Sequence, residues 1–275
     1  MILSESVTAL ILGLVEGITE FLPVSSTGHL ILAGHALGFT GERADTFEIF
    51  IQAGAILAVV VLYLPRFTAL LDLSGGTKSL DGFRGWSGMV KIGAGCAPAF
   101  VFGALLHKAI KQHLFSPFTV AIGFVVGGLL IIVVERLYRQ PVVDTVEKLS
   151  LRQCLGIGFF QCLGLWPGMS RSGSTMIGGM LLGCSRQVAA EFSFLLAVPV
   201  LLAAVSLDMY KSAALLQSAD FIPFAVGFVV SFITALVAVK ALIGFLGKHS
   251  LLSFAVYRIL FGAVLLWVWF GGGLV

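Results

Sequence analysis

The chain has 275 residues, of which 58% are hydrophobic and only 11% charged. A water-soluble domain carries about 25% charged residues, so a soluble globule is excluded and an integral membrane protein is expected. The net charge of +3 is small and the basic residues are scattered, which gives no footprint for nucleic acid.

The N-terminus, MILSESV, lacks the positive region of a cleaved signal peptide, so none is expected. The first apolar region, 7–38, is broken in its middle by Glu16 to His29, EGITEFLPVSSTGH. Glu16 and Glu20 are four apart and share a helical face. Pro23 should end that helix, and Ser25, Ser26 and Thr27 should start a second one running from His29 to Leu37. Its free N–H groups form an anion site. Next, GFTGERADTF (38–47) reads as a polar loop.

Six apolar stretches are then long enough to span a bilayer, which needs about 20 residues. They are 47–64, 88–107, 117–135, 188–206, 221–242 and 251–270. A second broken region, 151–184, lies among them and is interrupted by WPGMSRSGST, Trp166 to Thr175. Each broken region reads as two half-helices that dip into the membrane and return, with one kinked spanning helix as the competing description. No strand alternation appears, so the expected fold is an all-α polytopic membrane protein with six spans and two re-entrant hairpins. The cysteines Cys96, Cys154, Cys162 and Cys184 lie in apolar segments without metal spacing and read as small buried hydrophobes.

A shift of 145 positions pairs Gly13 with Gly158, Glu16 with Gln161, Phe21 with Trp166, Ser25 with Ser170 and Phe47 with Phe192. The whole chain, 1–275, is therefore expected to be one membrane domain built from repeats at roughly 1–136 and 150–270. Each copy would hold one hairpin and three spans, and an odd number inverts the second copy. With that topology one side collects Arg66, Lys78, Arg84, Arg136, Arg139, Lys148, Arg152, Arg186 and Lys248. The other side has Arg43, Lys108, Lys111 and Lys211. The richer side should be cytoplasmic, with both termini and the mouth of the first hairpin outside.

Arg171 falls at membrane depth, where a charge costs at least about 3 kcal/mol and needs a partner or a polar cavity. Glu16 and Glu20 are the obvious partners. With Ser170, Ser172, Ser174 and Thr175, Arg171 also makes a fork for phosphate oxygens. Two carboxylates four apart repel in a low dielectric. They could share a proton, bind a divalent metal such as Mg²⁺, or neutralise Arg171. Gln161 keeps the hydrogen bonding of its counterpart Glu16 without the charge. His29 is a candidate general base or nucleophile near the hydroxyls, whereas His35 reads as structural. Glu48, Gln52 and Glu191 are candidates for a supporting layer, with a merely interfacial place as the alternative for each, and Arg258 is expected to snorkel or to pair with one of these acids.

The motifs EGITEFLPVSSTGH and PGMSRSGST, with TFEIFIQAGAILAVV and EFSFLLAVP, resemble the undecaprenyl-diphosphate phosphatase family, also called the bacitracin-resistance family. The resemblance runs nearly the full length. It implies a bacterial inner-membrane hydrolase that removes the terminal phosphate of undecaprenyl diphosphate. That reaction recycles the lipid carrier for cell-wall synthesis and gives bacitracin resistance. It also implies a divalent cation (Mg²⁺ or Ca²⁺), a homodimer, and functional residues at Glu16, Glu20, Ser26, His29, Arg171 and Thr175. Ser26 is then the candidate nucleophile and His29 its base, with direct attack by water or His29 still open. Ser25, Thr27, Ser170, Ser172, Ser174 and Gln161 are expected to bind substrate. Inverted repeats also suit a transporter or flippase for an anionic lipid or solute, which is the alternative function.

Overall fold

Apolar runs bounded by hydroxyl caps and prolines become long helices here, because a helix satisfies all its backbone groups without water. A computed structural model describes residues 4–72, 82–114 and 116–271. Lys78 lies outside the described residues, as does the Lys111 side chain. In chain order the helices are α1 (Glu5–Thr19), α2 (Ser26–Leu37), α3 (Glu42–Leu62), α4 (Leu64–Leu70), α5 (Gly85–His113) and α6 (Pro117–Leu137). They continue as α7 (Leu151–Gln161), α8 (Arg171–Leu181), α9 (Arg186–Ser212), α10 (Phe221–Leu246) and α11 (Leu252–Phe270). No strand occurs among the described residues, where Val143 and Cys184 form one isolated bridge.

Six of these helices are long and apolar enough to cross a membrane, namely α3, α5, α6, α9, α10 and α11. All six expected spans are present. Several extend beyond the hydropathic run, because caps rather than hydropathy set the ends. Ser116 with Pro117 starts α6 through a capping box, and Ser185 accepts from the Val188 N–H to start α9. The stretch 38–47 is not wholly a loop. Helix α3 already begins at Glu42, where Glu42 and Asp45 complement the positive helix start.

Both broken regions separate into short helices. With 15 and 12 residues, α1 and α2 are each shorter than a bilayer span, and they pack on one another. The 11-residue helices α7 and α8 do the same. Helix α1 also lies on α10, and α7 lies on α5. In each crossing a glycine admits the neighbouring backbone. A Cβ on Gly13 would sit 2.5 Å from the Gly227 carbonyl oxygen, and one on Gly158 would sit 2.5 Å from that of Gly95.

The first half of α9 is deeply enclosed, with Phe192, Phe194, Leu195 and Leu196 fully buried. Trp267, Phe270 and Phe221, each 77% exposed, point outward as lipid-facing side chains do. Ion pairs collect at two ends. Arg43 joins Asp220 and Glu5 where α1, α3 and α10 begin. Arg66 joins Glu147 and Glu191, and Arg186 joins Glu135, at the other end of α3 and the start of α9. The chain is a multi-pass helical membrane protein.

Candidate active site

The two breaks meet inside the helix bundle. In the first, α1 stops at Thr19, the chain turns through Glu20–Val24, and Ser25 precedes α2 with φ +69°. In the second, a 3-10 turn (Cys162–Leu165) follows α7, and Ser170 precedes α8 with φ +67°. These are the two non-glycine residues with positive φ among those described. L residues rarely hold that conformation unless their surroundings impose it. The serines then differ. The Ser170 hydroxyl accepts from the Gly173 N–H at 3.1 Å, a normal cap, whereas the Ser25 side chain makes no capping bond.

Between the breaks lies a cavity of about 140 Å³, bordered by Glu20, Ser25, Ser26, Thr27, Ser170 and Arg171. The Ser26 hydroxyl donates to Glu20 Oε2 at 2.6 Å. Arg171 Nη2 donates to the other carboxylate oxygen at 3.2 Å, and Nη1 donates to the Ser193 carbonyl at 3.1 Å. The ion pair is nearly buried, with side chains 11% and 8% exposed. Desolvating two charges usually offsets what their attraction contributes, so stability alone is a weak reason for the pair. Arg171 Nε is buried without a partner, which leaves a donor for something else. Gln52 also borders the cavity, together with Trp166, whose indole N–H is anchored on the Thr119 carbonyl.

Several expected site residues stand back from this cavity. Ser172 donates to the Leu22 carbonyl at 2.8 Å, tying the second break to the first. Ser174 bonds within its own helix. Thr175 donates to the Ser193 hydroxyl at 2.6 Å, behind Arg171. Gln161 donates to the Gly95 carbonyl, on the α5–α7 packing surface rather than at the cavity. Glu16 is fully buried, and neither carboxylate oxygen has a partner.

His29 does not touch the Ser26 hydroxyl. Its Nδ1 lies 2.7 Å from the Ser25 carbonyl, which can only accept, so that nitrogen carries the proton. Nε2 lies 2.5 Å from the Tyr257 hydroxyl, which it would accept in the neutral ring, and the ring stacks on Phe261. A carboxylate, not the imidazole, stands against Ser26.

Of the supporting residues, Glu191 takes its interfacial alternative and Arg258 departs from both of its expected roles. Glu191 is tied to Arg66, away from the cavity. Arg258 neither snorkels nor meets an acid among the described residues. It is fully buried and donates only to backbone carbonyls. Ser193 and Tyr257 were not singled out. Each is a hydroxyl in an apolar span that holds others, which gives no signal of its own.

Among the described residues no cluster of three or more His, Cys, Asp or Glu is placed to hold a metal. Two carboxylates near one another, one of them without a partner, still fit a hard cation that keeps water or phosphate oxygens as its other ligands. On the far side of the first break, Leu22 and Val24 line an apolar groove of about 860 Å³ between α1, α10 and α11.

A helical membrane protein with a buried serine, carboxylate and guanidinium between two broken segments is the class that this fold and cavity define. Residues 9–264 match the family model described as bacitracin resistance protein BacA, and the chain belongs to that family. A protein of Maridesulfovibrio salexigens named undecaprenyl-diphosphatase is 52% identical over 262 residues, covering 95% of this chain and 98% of its own. One of Nitratidesulfovibrio vulgaris (strain Hildenborough) with the same name is 51% identical, covering 94% of this chain and 96% of its own. A third, from Solidesulfovibrio magneticus, is 47% identical over 267 residues.

Proposed function

We propose that this chain is a phosphatase that hydrolyses undecaprenyl diphosphate to undecaprenyl phosphate and inorganic phosphate. Such a reaction would recycle the lipid carrier for cell-wall synthesis and underlie bacitracin resistance. The observation that carries the reading is a serine hydroxyl donating to a carboxylate that is itself held by an arginine. The names of relatives near 50% identity over almost the whole chain support the substrate.

In the first step the Ser26 oxygen forms a bond to the terminal phosphorus while its proton passes to Glu20. The bond from that phosphorus to the bridging oxygen breaks, and its electron pair leaves with the lipid monophosphate. Water then attacks the phosphoserine, the serine oxygen leaves and regains a proton, and phosphate departs. Arg171 and the N–H groups at the two helix starts would stabilise charge on the non-bridging oxygens. His29, already engaged at both nitrogens, is assigned to holding the first turn of α2. The apolar groove at Leu22 and Val24 is a candidate surface for part of the polyprenyl tail.

Glu20 and the partnerless Glu16 are the residues that would hold a divalent cation, Mg²⁺ or Ca²⁺, which would neutralise diphosphate charge. Chelation should abolish turnover and either ion should restore it. Undiminished activity after chelation would remove the cation from the scheme.

The reading also takes the two breaks as re-entrant hairpins of inverted repeats, roughly 1–136 and 150–270. The matched positive-φ serines and the matched glycine crossings support that. It places the chain in a bacterial inner membrane as a homodimer, the end bearing Arg66 and Arg186 inside and both termini outside. Single cysteines near Asp144 should be shielded from impermeant thiol reagents in intact cells, and those near Glu42 should react. The opposite labelling would invert the orientation, and a monomer mass in detergent would remove the dimer. Phosphate release by purified protein from undecaprenyl diphosphate tests the activity itself. A carrier that moves lipid without chemistry would release none.

A further inference from the structure

Arg258 sits on α11, which contributes no residue to the cavity, yet its guanidinium reaches the backbone of both breaks. Among the described residues it is the largest fully buried side chain. A buried arginine ordinarily needs a carboxylate. None of the ion pairs among the described residues involves Arg258; carbonyl oxygens surround it instead. Nη1 donates to Pro23 at 3.0 Å, and Nη2 donates to Gly168 at 2.8 Å, Met169 at 3.0 Å and Gly123 at 3.2 Å. Nε points at the Phe124 carbonyl, 3.4 Å away. Room for this comes from Gly127, where a Cβ would lie 2.0 Å from Nη2.

The positions of these acceptors give the pattern its meaning. Pro23 lies two residues before Ser25, and Met169 lies immediately before Ser170. Three of the carbonyls that Arg258 holds, those of Pro23, Gly168 and Met169, therefore lie within two residues of the serines with positive φ, which lead into Ser26 and Arg171. One planar side chain fixes the entry of both half-helices relative to α6. The nucleophile candidate comes from one half-helix and the phosphate fork from the other, so their separation depends on this common anchor.

We propose that Arg258 is a positioning residue for the reaction: it sets the register between Ser26 and Arg171 without touching substrate. The proposal rests on the phosphatase reading, and misalignment by about 1 Å at a reacting centre can cost about 10²-fold in rate. Lysine keeps the charge but offers one point donor, which cannot span carbonyls on three segments. Arg258→Lys should thus lower kcat by about 10²-fold with KM changed by less than about threefold. Gly127→Ala, which keeps the arginine but puts a methyl carbon 2.0 Å from Nη2 and so displaces the guanidinium, should lower kcat in the same manner.

Activity should be measured per folded molecule, on monodisperse protein in detergent. Hydrogen–deuterium exchange should be followed in the same samples, because it does not depend on the reaction being the one proposed. In Arg258→Lys, exchange should rise in both 20–28 and 166–175 while α3 and α9 stay as in the wild type. A folded variant with kcat within about threefold of wild type, a loss confined to KM, or increased exchange in only one break would overturn the assignment. So would a loss that merely follows the folded fraction. Wild-type protein that releases no phosphate would instead refute the phosphatase reading, leaving the exchange result to judge the anchor alone.

Discussion

The two breaks have the same backbone turn and opposite chemistry. Each brings a serine with positive φ to the start of a short helix, and both helix starts border the same cavity. In the first break the residue after that serine is Ser26, and Glu20 lies behind it. In the second the equivalent positions hold Arg171 and Leu165. The Ser170 hydroxyl is used up as a cap and a bond to Ser172, whereas the Ser25 hydroxyl makes no capping bond and borders the cavity. On the proposed mechanism the first break would supply the reacting oxygen and its proton acceptor, and the second would supply positive charge. A repeated turn gives two helix starts of the kind that suits an anion. The side chains hung on it divide the labour.

The largest expected effect falls on the carboxylate that joins the two breaks. Glu20→Gln keeps hydrogen bonding but cannot take a proton from Ser26, and turnover should fall on the order of 10²–10⁴-fold, with folding retained in detergent. Glu16→Gln should be milder, since an amide stands at the matching position, Gln161. Equal losses at both glutamates would erase the distinction between them.

Next comes Arg171→Lys. If the guanidinium grips two phosphoryl oxygens as their charge grows, losing its fork should lower kcat on the order of 10²–10³-fold. A drop of less than about fivefold, roughly 1 kcal/mol on the barrier, would make Arg171 only a counter-charge to Glu20.

The smallest effect separates the capping serines. Ser170→Ala removes a real cap and should cost about 1 kcal/mol of stability with turnover barely altered. Ser25→Ala should leave thermal unfolding in detergent where it is, because no capping bond is lost. Identical stability losses would mean that the two turns are equivalent after all.

Much of this arrangement was legible from residue chemistry. Arg171 in an apolar run required a partner, and Glu20 is that partner because few other charges lie at membrane depth. The six spans followed from hydropathy, and their ends were misjudged where polar caps and acidic first turns extend a helix beyond its apolar run, as at Glu42. Arg258 was misread because backbone carbonyls accept a guanidinium and leave no trace in sequence. The same holds for Ser193, whose carbonyl holds Arg171. His29 looked available as a base, and its hydroxyl partner, Tyr257, is 228 residues away along the chain. Distance in sequence hid the contact that occupies the ring.

The most direct test compares two adjacent serines that differ by a single contact. Purified Ser26→Ala and Ser25→Ala proteins should be assayed for phosphate release from undecaprenyl diphosphate at saturating substrate. With Ser26 donating to Glu20 and poised for attack, Ser26→Ala should lose on the order of 10³-fold or more, and Ser25→Ala less than about threefold. Near-normal turnover in folded Ser26→Ala protein would contradict the assignment and give the attack to water.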